Sequence, residues 1–170
     1  MNKYQESRIT TTKLVYIALL VALSFIGSLI KIQGTIALDS MPGFFAALFL
    51  DPISGALVAS LGHLLTATTS GFPLTILIHM VITIIMGLVV YIFGVTYKKS
   101  NGIIACIIGI VLNGIGSALA IAPITTMVGL PLSGKAFFFT MVGPLTLASV
   151  VNIIMAYIIY RTINKTNLIR

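Results

Sequence analysis

The chain has 170 residues, of which 58% are hydrophobic and only 8% charged, with a formal net charge of +7. An ordinary soluble domain carries roughly 25% charged residues, so this composition excludes one and leaves too little polar chain for an ATPase. The basic residues flank apolar runs and form no patch, which excludes nucleic acid as the reason for the charge and makes them reporters of topology.

Residues 1–12 form a polar tail with Lys3, Glu6 and Arg8. The apolar run from Leu14 to Ile30 outlasts a signal-peptide core and lacks its cleavage pattern, which predicts a retained first helix over about 13–32. A second helix is expected over 36–50. Asp51-Pro52 then marks a break, because Asp caps a helix start and Pro suits the first helical position. The third helix follows over 52–67 and the turn TTSGFP over Thr68–Pro73. A fourth helix spans 74–97, a polar turn KKSNG follows, and a fifth helix spans 103–122. The Pro/Gly-rich stretch Pro123–Gly134 reads as a loop, and the sixth helix covers 135–160 before a basic tail.

Several of these runs approach the ~20 apolar residues that cross ~30 Å of hydrocarbon. Counting basic residues chooses between five spans and six. Six spans with an inside N-terminus place eight Lys/Arg inside and two, Lys31 and Lys135, outside. Merging the second and third helices gives four inside against six outside. The expected fold is an all-α integral membrane protein. It is a single domain over 1–170, a bundle of six transmembrane helices with both termini cytoplasmic, set multi-pass in the plasma membrane.

Small and polar residues recur at intervals of four on four helices. The rows are Gly55–Ala59 with Ala56–Ser60; Thr75, His79, Thr83, Gly87 and Tyr91; Ala105, Gly109, Asn113 and Ser117; and Thr140, Pro144, Ala148, Asn152 and Ala156. Such rows let membrane helices approach closely and bond across the contact. Pro144 is expected to bend the sixth helix. The lone Cys106 reads as a small packed thiol. Asn152 reads as glue between helices, deep toward the cytoplasm.

Ionisable groups at membrane depth mark candidate sites. Asp39, His63 and His79 fall near the outer surface, the two histidines at similar depth on antiparallel helices. Three readings are open for them: bonding to helix neighbours, contact with a small molecule, or two imidazoles and a carboxylate on a transition metal. Asp51 reads as the cap of the third helix. The stretch GLPLSGK at 129–135 fits the start of a phosphate-binding loop, but Ala136 stands where Ser or Thr holds magnesium and no strand precedes it. An intramembrane protease would need a Ser/His or paired-Asp constellation within the core, whereas these acids lie near opposite surfaces; a secondary transporter would show an inverted repeat. No enzyme activity is expected. The competing class is a small structural or metal-binding protein of the bilayer.

The size, the six helices, the Ala18-x-x-x-Ala22 pair and the stretch LDSMPGFFAALFLDPISGALVASLGHLLTATTSGFPLT together resemble an S component, the substrate-binding subunit of an energy-coupling-factor (ECF) vitamin transporter. The resemblance covers essentially the whole chain. Its long stretch is similar to S components assigned to α-ribazole, a cobalamin-precursor nucleoside, or to pantothenate. The absence of Trp argues against a thiamine-type pocket. The resemblance implies a bundle that binds a vitamin near its extracellular end, under the loop after the first helix. It also implies docking on a transmembrane T component through Ala18 and Ala22, with two ATPase subunits using ATP below; the chain itself holds no cofactor and no metal. The expected substrate site uses Asp39, His63, His79, Asn113 and Ser117, with Phe44, Phe72 or Phe137 packing on a flat ring. The lack of a nearby arginine favours α-ribazole over pantothenate.

Overall fold

A computed structural model describes residues 10–33 and 36–166; the tails carrying Lys3, Glu6, Arg8 and Arg170 lie outside the described residues. Six helices follow in order: α1 (Thr11–Gly27), α2 (Met41–Phe49), α3 (Pro52–Thr69), α4 (Ile76–Lys99), α5 (Gly102–Met127) and α6 (Gly134–Lys165). By length and composition α4, α5 and α6 can each cross a bilayer, and α1 is a shorter apolar helix. Each boundary has a local cause. Asp51 accepts the Ile53 and Ser54 N–H groups at 3.0 Å, with Pro52 at the first helical position. Asn101 accepts Ile104 N–H at 3.0 Å to open α5. These side chains satisfy N–H groups that a helix start leaves unpaired.

Three expected boundaries are corrected. The first helix ends at Gly27, not near residue 32, because Lys31–Gln33 (β1) pairs antiparallel with Ile36–Ala37 (β2) in a small ribbon. The second helix therefore starts at Met41 rather than Ile36. The fifth helix continues through Pro123 to Met127, where a loop was expected, and its middle turn, Leu112–Gly116, is a π turn. Pro123 removes one backbone donor from this helix, and just beyond it Thr125 Oγ1 donates to Ala122 O at 2.6 Å and accepts Gly134 N–H at 3.2 Å, closing the step into α6. Pro144 lies inside the continuous α6.

The predicted Gly55–Ala59 row makes a close helix contact, with Gly43 and Ala47, which the sequence reading did not single out, as its partners. A Cβ built on Gly43 would fall 2.7 Å from Ala59 Cβ, and one on Gly55 2.5 Å from Ala47 Cβ. Gly43-x-x-x-Ala47 on α2 thus meshes antiparallel with Gly55-x-x-x-Ala59 on α3, with no room for larger side chains. One core cluster centres on Phe44, Phe93, Ala105 and Ile153, with the Phe44 and Phe93 rings edge to face at 5.1 Å. A second joins Ile78, Ile121 and Phe137.

The helices alternate in direction, which gives the bundle two ends. At one, Lys13 pairs with Asp51 at 2.7 Å, Lys98 and Lys99 face the same groove, and Arg161 bonds Tyr157 at 3.2 Å. At the other, Lys31 Nζ donates to Ser70 Oγ at 2.8 Å, tying the ribbon to the α3–α4 turn.

The chain between the ribbon and α2 dips into the bundle. Asn152, near the middle of α6, accepts Met41 N–H at 2.9 Å and donates to Ala37 O at 3.2 Å and Ala148 O at 2.9 Å. Ser24 of α1 donates its hydroxyl to Asp39 O. Non-helical backbone away from water persists only where protein groups satisfy it, and here Ser24 and Asn152 do so. One sequence expectation changes accordingly: Asp39 precedes α2 rather than lying at its end, and Asn152, expected to bond between helices, clasps that segment instead.

Candidate ligand-binding cavity

The dip creates a floor, and above it lies a cavity of about 250 Å³. Its walls are mostly apolar, among them Ile82, Met86, Ile121, Leu145 and the ring of Phe137. Gln33, Asp39, Ser40, His63, Asn113 and Ser117 are its polar lining residues, and among the described residues no Lys or Arg lines it. An apolar chamber with a few placed polar groups is the usual form of a small-molecule site.

Asp39, His63, Asn113 and Ser117 are held from behind. Thr66 Oγ1 stands 2.6 Å from Asp39 Oδ2, one turn of α3 beyond the neighbour of His63. His63 Nε2 and His79 Nδ1 approach to 3.3 Å, and Leu74 N–H donates to His79 Nε2 at 3.4 Å. Asn113 sits in the π turn, its Nδ2 donating to Ser149 Oγ at 2.9 Å. Ser117 Oγ donates to Leu112 O at 3.2 Å, five residues back, a reach that the wider π turn sets. Among the described residues, Asn113 Oδ1 is the one buried side-chain polar atom without a partner. An orphan acceptor in a native interior calls for an explanation, and this oxygen is enclosed in the wall rather than open to the cavity.

The predicted residues therefore divide. Asp39, His63, Asn113, Ser117 and Phe137 line one space. His79 is fully buried behind His63. Phe72, at φ 50°, packs its ring 5.7 Å from that of His79, outside the lining. Phe44 is fully buried against Phe93 in the core, away from the cavity. Sequence reasoning missed the lining by Gln33 and Ile36, which belong to the unforeseen ribbon. Among the described residues, no three His, Cys, Asp or Glu side chains gather as a metal-holding group.

Far from the cavity, Ala18 and Ala22 stand exposed on one stripe of α1 with Leu14, Leu19 and Ile26. Asp51, in the α2–α3 connection, has opposing influences: burial alone raises its carboxyl, but hydrogen bonds from Lys13 and Ser54 and the Lys13 charge hold it at about 2.

Compared with known families, residues 12–164 match the ECF transporter, substrate-specific component. The chain belongs to this family. No curated protein and no solved structure matches it. As an ECF S component it is a membrane transport subunit rather than an enzyme, and it partners the T and ATPase components of an ECF module. Substrate binding is the S component's share of that work.

Proposed function

We propose that this S component captures a small water-soluble vitamin or vitamin precursor, α-ribazole in the first instance, in the cavity above Asp39. The bundle crosses the plasma membrane six times with both termini cytoplasmic. The cavity then opens toward the outside and the Lys13–Asp51 end faces inward. The basic count supports this orientation, since Lys13, Lys98, Lys99, Arg161 and Lys165 fall at the inner end. α2, nine residues and about 14 Å long at 1.5 Å per residue, is too short to span by itself. The extended segment before it completes the crossing inside the protein. The exposed Ala18/Ala22 stripe docks the T component, and ATP is consumed by the partner ATPases.

One observation carries the substrate reading: the cavity offers the Asp39 carboxylate and, among the described residues, no cation. Such a site takes a donor-bearing neutral molecule, whereas the carboxylate of pantothenate would sit near Asp39 without a counter-charge. Titration calorimetry on the purified subunit tests this. α-Ribazole should bind, and Asp39→Ala, His79→Ala and Asn113→Ala should each weaken binding by a factor of roughly 5 to 150. Tight binding of pantothenate with no heat from α-ribazole would overturn the choice of substrate, and normal binding by all three variants would overturn the site.

A further inference from the structure

The polar groups of the cavity have a definite polarity, which follows from the bonds behind them. A backbone N–H can only donate, so the Leu74 N–H at 3.4 Å requires His79 Nε2 to keep its lone pair. The single proton of a neutral His79 is then on Nδ1, pointing at His63 Nε2 across 3.3 Å. That nitrogen must accept, which puts the proton of His63 on Nδ1. A cationic His63 would need His79 Nδ1 as its acceptor, leaving His79 with no proton at all. Among the described residues His63 Nδ1 is neither paired nor sealed off, and the cavity is the open space that His63 lines.

Asn113 is oriented by the same reasoning. The Ser149 hydroxyl spends its proton on Leu145 O at 2.6 Å, so toward Asn113 it can only accept. The amide group 2.9 Å away is therefore Nδ2, and the free end is the carbonyl oxygen. A flipped amide would set two lone pairs against each other.

We propose that His79 is a positioning residue that holds His63 in its Nδ1–H tautomer. The cavity thereby presents a fixed donor at His63 and takes a ligand carrying the complementary acceptor. That ligand has a lone-pair acceptor, such as an unsubstituted ring nitrogen or a carbonyl, on an otherwise apolar frame. The proposal rests on the cavity being the substrate site. It goes further in stating which edge of the substrate is read, and in giving a fully buried residue a role in specificity. Neutral imidazole in water prefers the proton on Nε2, so the opposite tautomer at two adjacent histidines is a distinctive signature.

The test begins without ligand. The purified subunit, labelled with ¹⁵N-histidine in lipid nanodiscs, is examined by long-range ¹H–¹⁵N correlation. Both imidazoles should be neutral with a protonated Nδ1 and a bare Nε2; a proton on His63 Nε2 overturns the proposal. In His79→Phe, His63 should relax to the Nε2–H tautomer, and retention of Nδ1–H there would remove the positioning role. The second arm uses α-ribazole and its analogue with the free ring nitrogen replaced by C–H. The native subunit should bind the analogue about 5- to 150-fold more weakly, and His63→Phe should bind the two equally. Equal binding by the native subunit overturns the ligand half. If α-ribazole fails to bind while both histidines show the expected tautomer, the substrate reading fails and the tautomer lock stands.

Discussion

The Asn152 side-chain oxygen on α6 accepts the backbone N–H of Met41, the first residue of α2, across 2.9 Å. The same amide holds Ala37 O, so one side chain clasps both ends of the segment that delivers Asp39 to the cavity. Replacing Asn152 with Ala would leave both backbone groups buried without partners, at about 1–3 kcal/mol each. Asn152→Ala should lower the melting temperature of the purified subunit and also weaken ligand binding, because the Asp39 floor loses its anchor. A variant that melts early yet binds ligand normally would show that the floor holds without the clasp.

Phe44 and Asn113 should separate stability from recognition. Phe44 is fully buried against Phe93, and Phe44→Ala removes a core ring at about 3–5 kcal/mol. Asn113→Ala removes one partner of Ser149 and the free carbonyl. Denaturation should place the larger stability loss at Phe44, and calorimetry the larger affinity loss per folded molecule at Asn113. The reverse order would move the site away from α5.

The α2–α3 contact predicts sharp steric intolerance. A methyl group on Gly55 would meet Ala47 Cβ at 2.5 Å and its Cα at 2.7 Å, so the helices must separate. Gly55→Ala should cost about 1–3 kcal/mol despite the better helix propensity of alanine. Thermal denaturation in detergent checks this, and an unchanged or raised midpoint would mean the two helices have slack.

Asp51 predicts a pH dependence with a definite sign. Its folded-state value of about 2 lies below the ordinary value near 3.9, so its contribution is present above pH 4 and lost as pH falls toward 2. The side chain is partly exposed, which limits the Lys13 pair to about 1 kcal/mol or less. Asp51→Asn keeps a capping oxygen and should flatten the loss of stability between pH 4 and 2. Asp51→Ala also loses the cap, at about 0.5–2 kcal/mol across the pH range. Acid melts of the two variants that cannot be told apart would contradict this division.

Coupling and topology are tested in cells. Ala18→Leu with Ala22→Leu should abolish uptake and co-purification of the T component while ligand binding to the solitary subunit survives. Loss of affinity in the isolated variant would instead tie the α1 stripe to the cavity. In a Cys106→Ala background, an impermeant thiol reagent should label cysteines placed at Ser70, Gly129 and Ser133 from outside, and those at Ser100 and Thr166 only after permeabilisation. Outside labelling at Ser100 would contradict the proposed six spans.

Much of this protein was determined by local chemistry that a sequence carries openly. The long apolar runs of α4 to α6, the Asp51-Pro52 cap and the small-residue rows follow from propensity, spacing and hydropathy within a few residues. The similar depth of His63 and His79 about a short turn was legible, while their direct contact was one of several open readings. Other features depended on partners distant in sequence. The ribbon takes apolar residues that a hydropathy reading assigns to helices, because Leu38 N–H finds Ile30 O and Ala37 O finds Asn152, 115 residues away. Asn113 and Ser149 are 36 residues apart, and only their meeting determines which end of the amide is free. Phe44 and Phe137 look alike as aromatic candidates, yet one packs on Phe93 and the other lines the cavity. Hydrogen-bond polarity and side-chain burial are properties of pairs, and pairs between helices exist only once the bundle has formed.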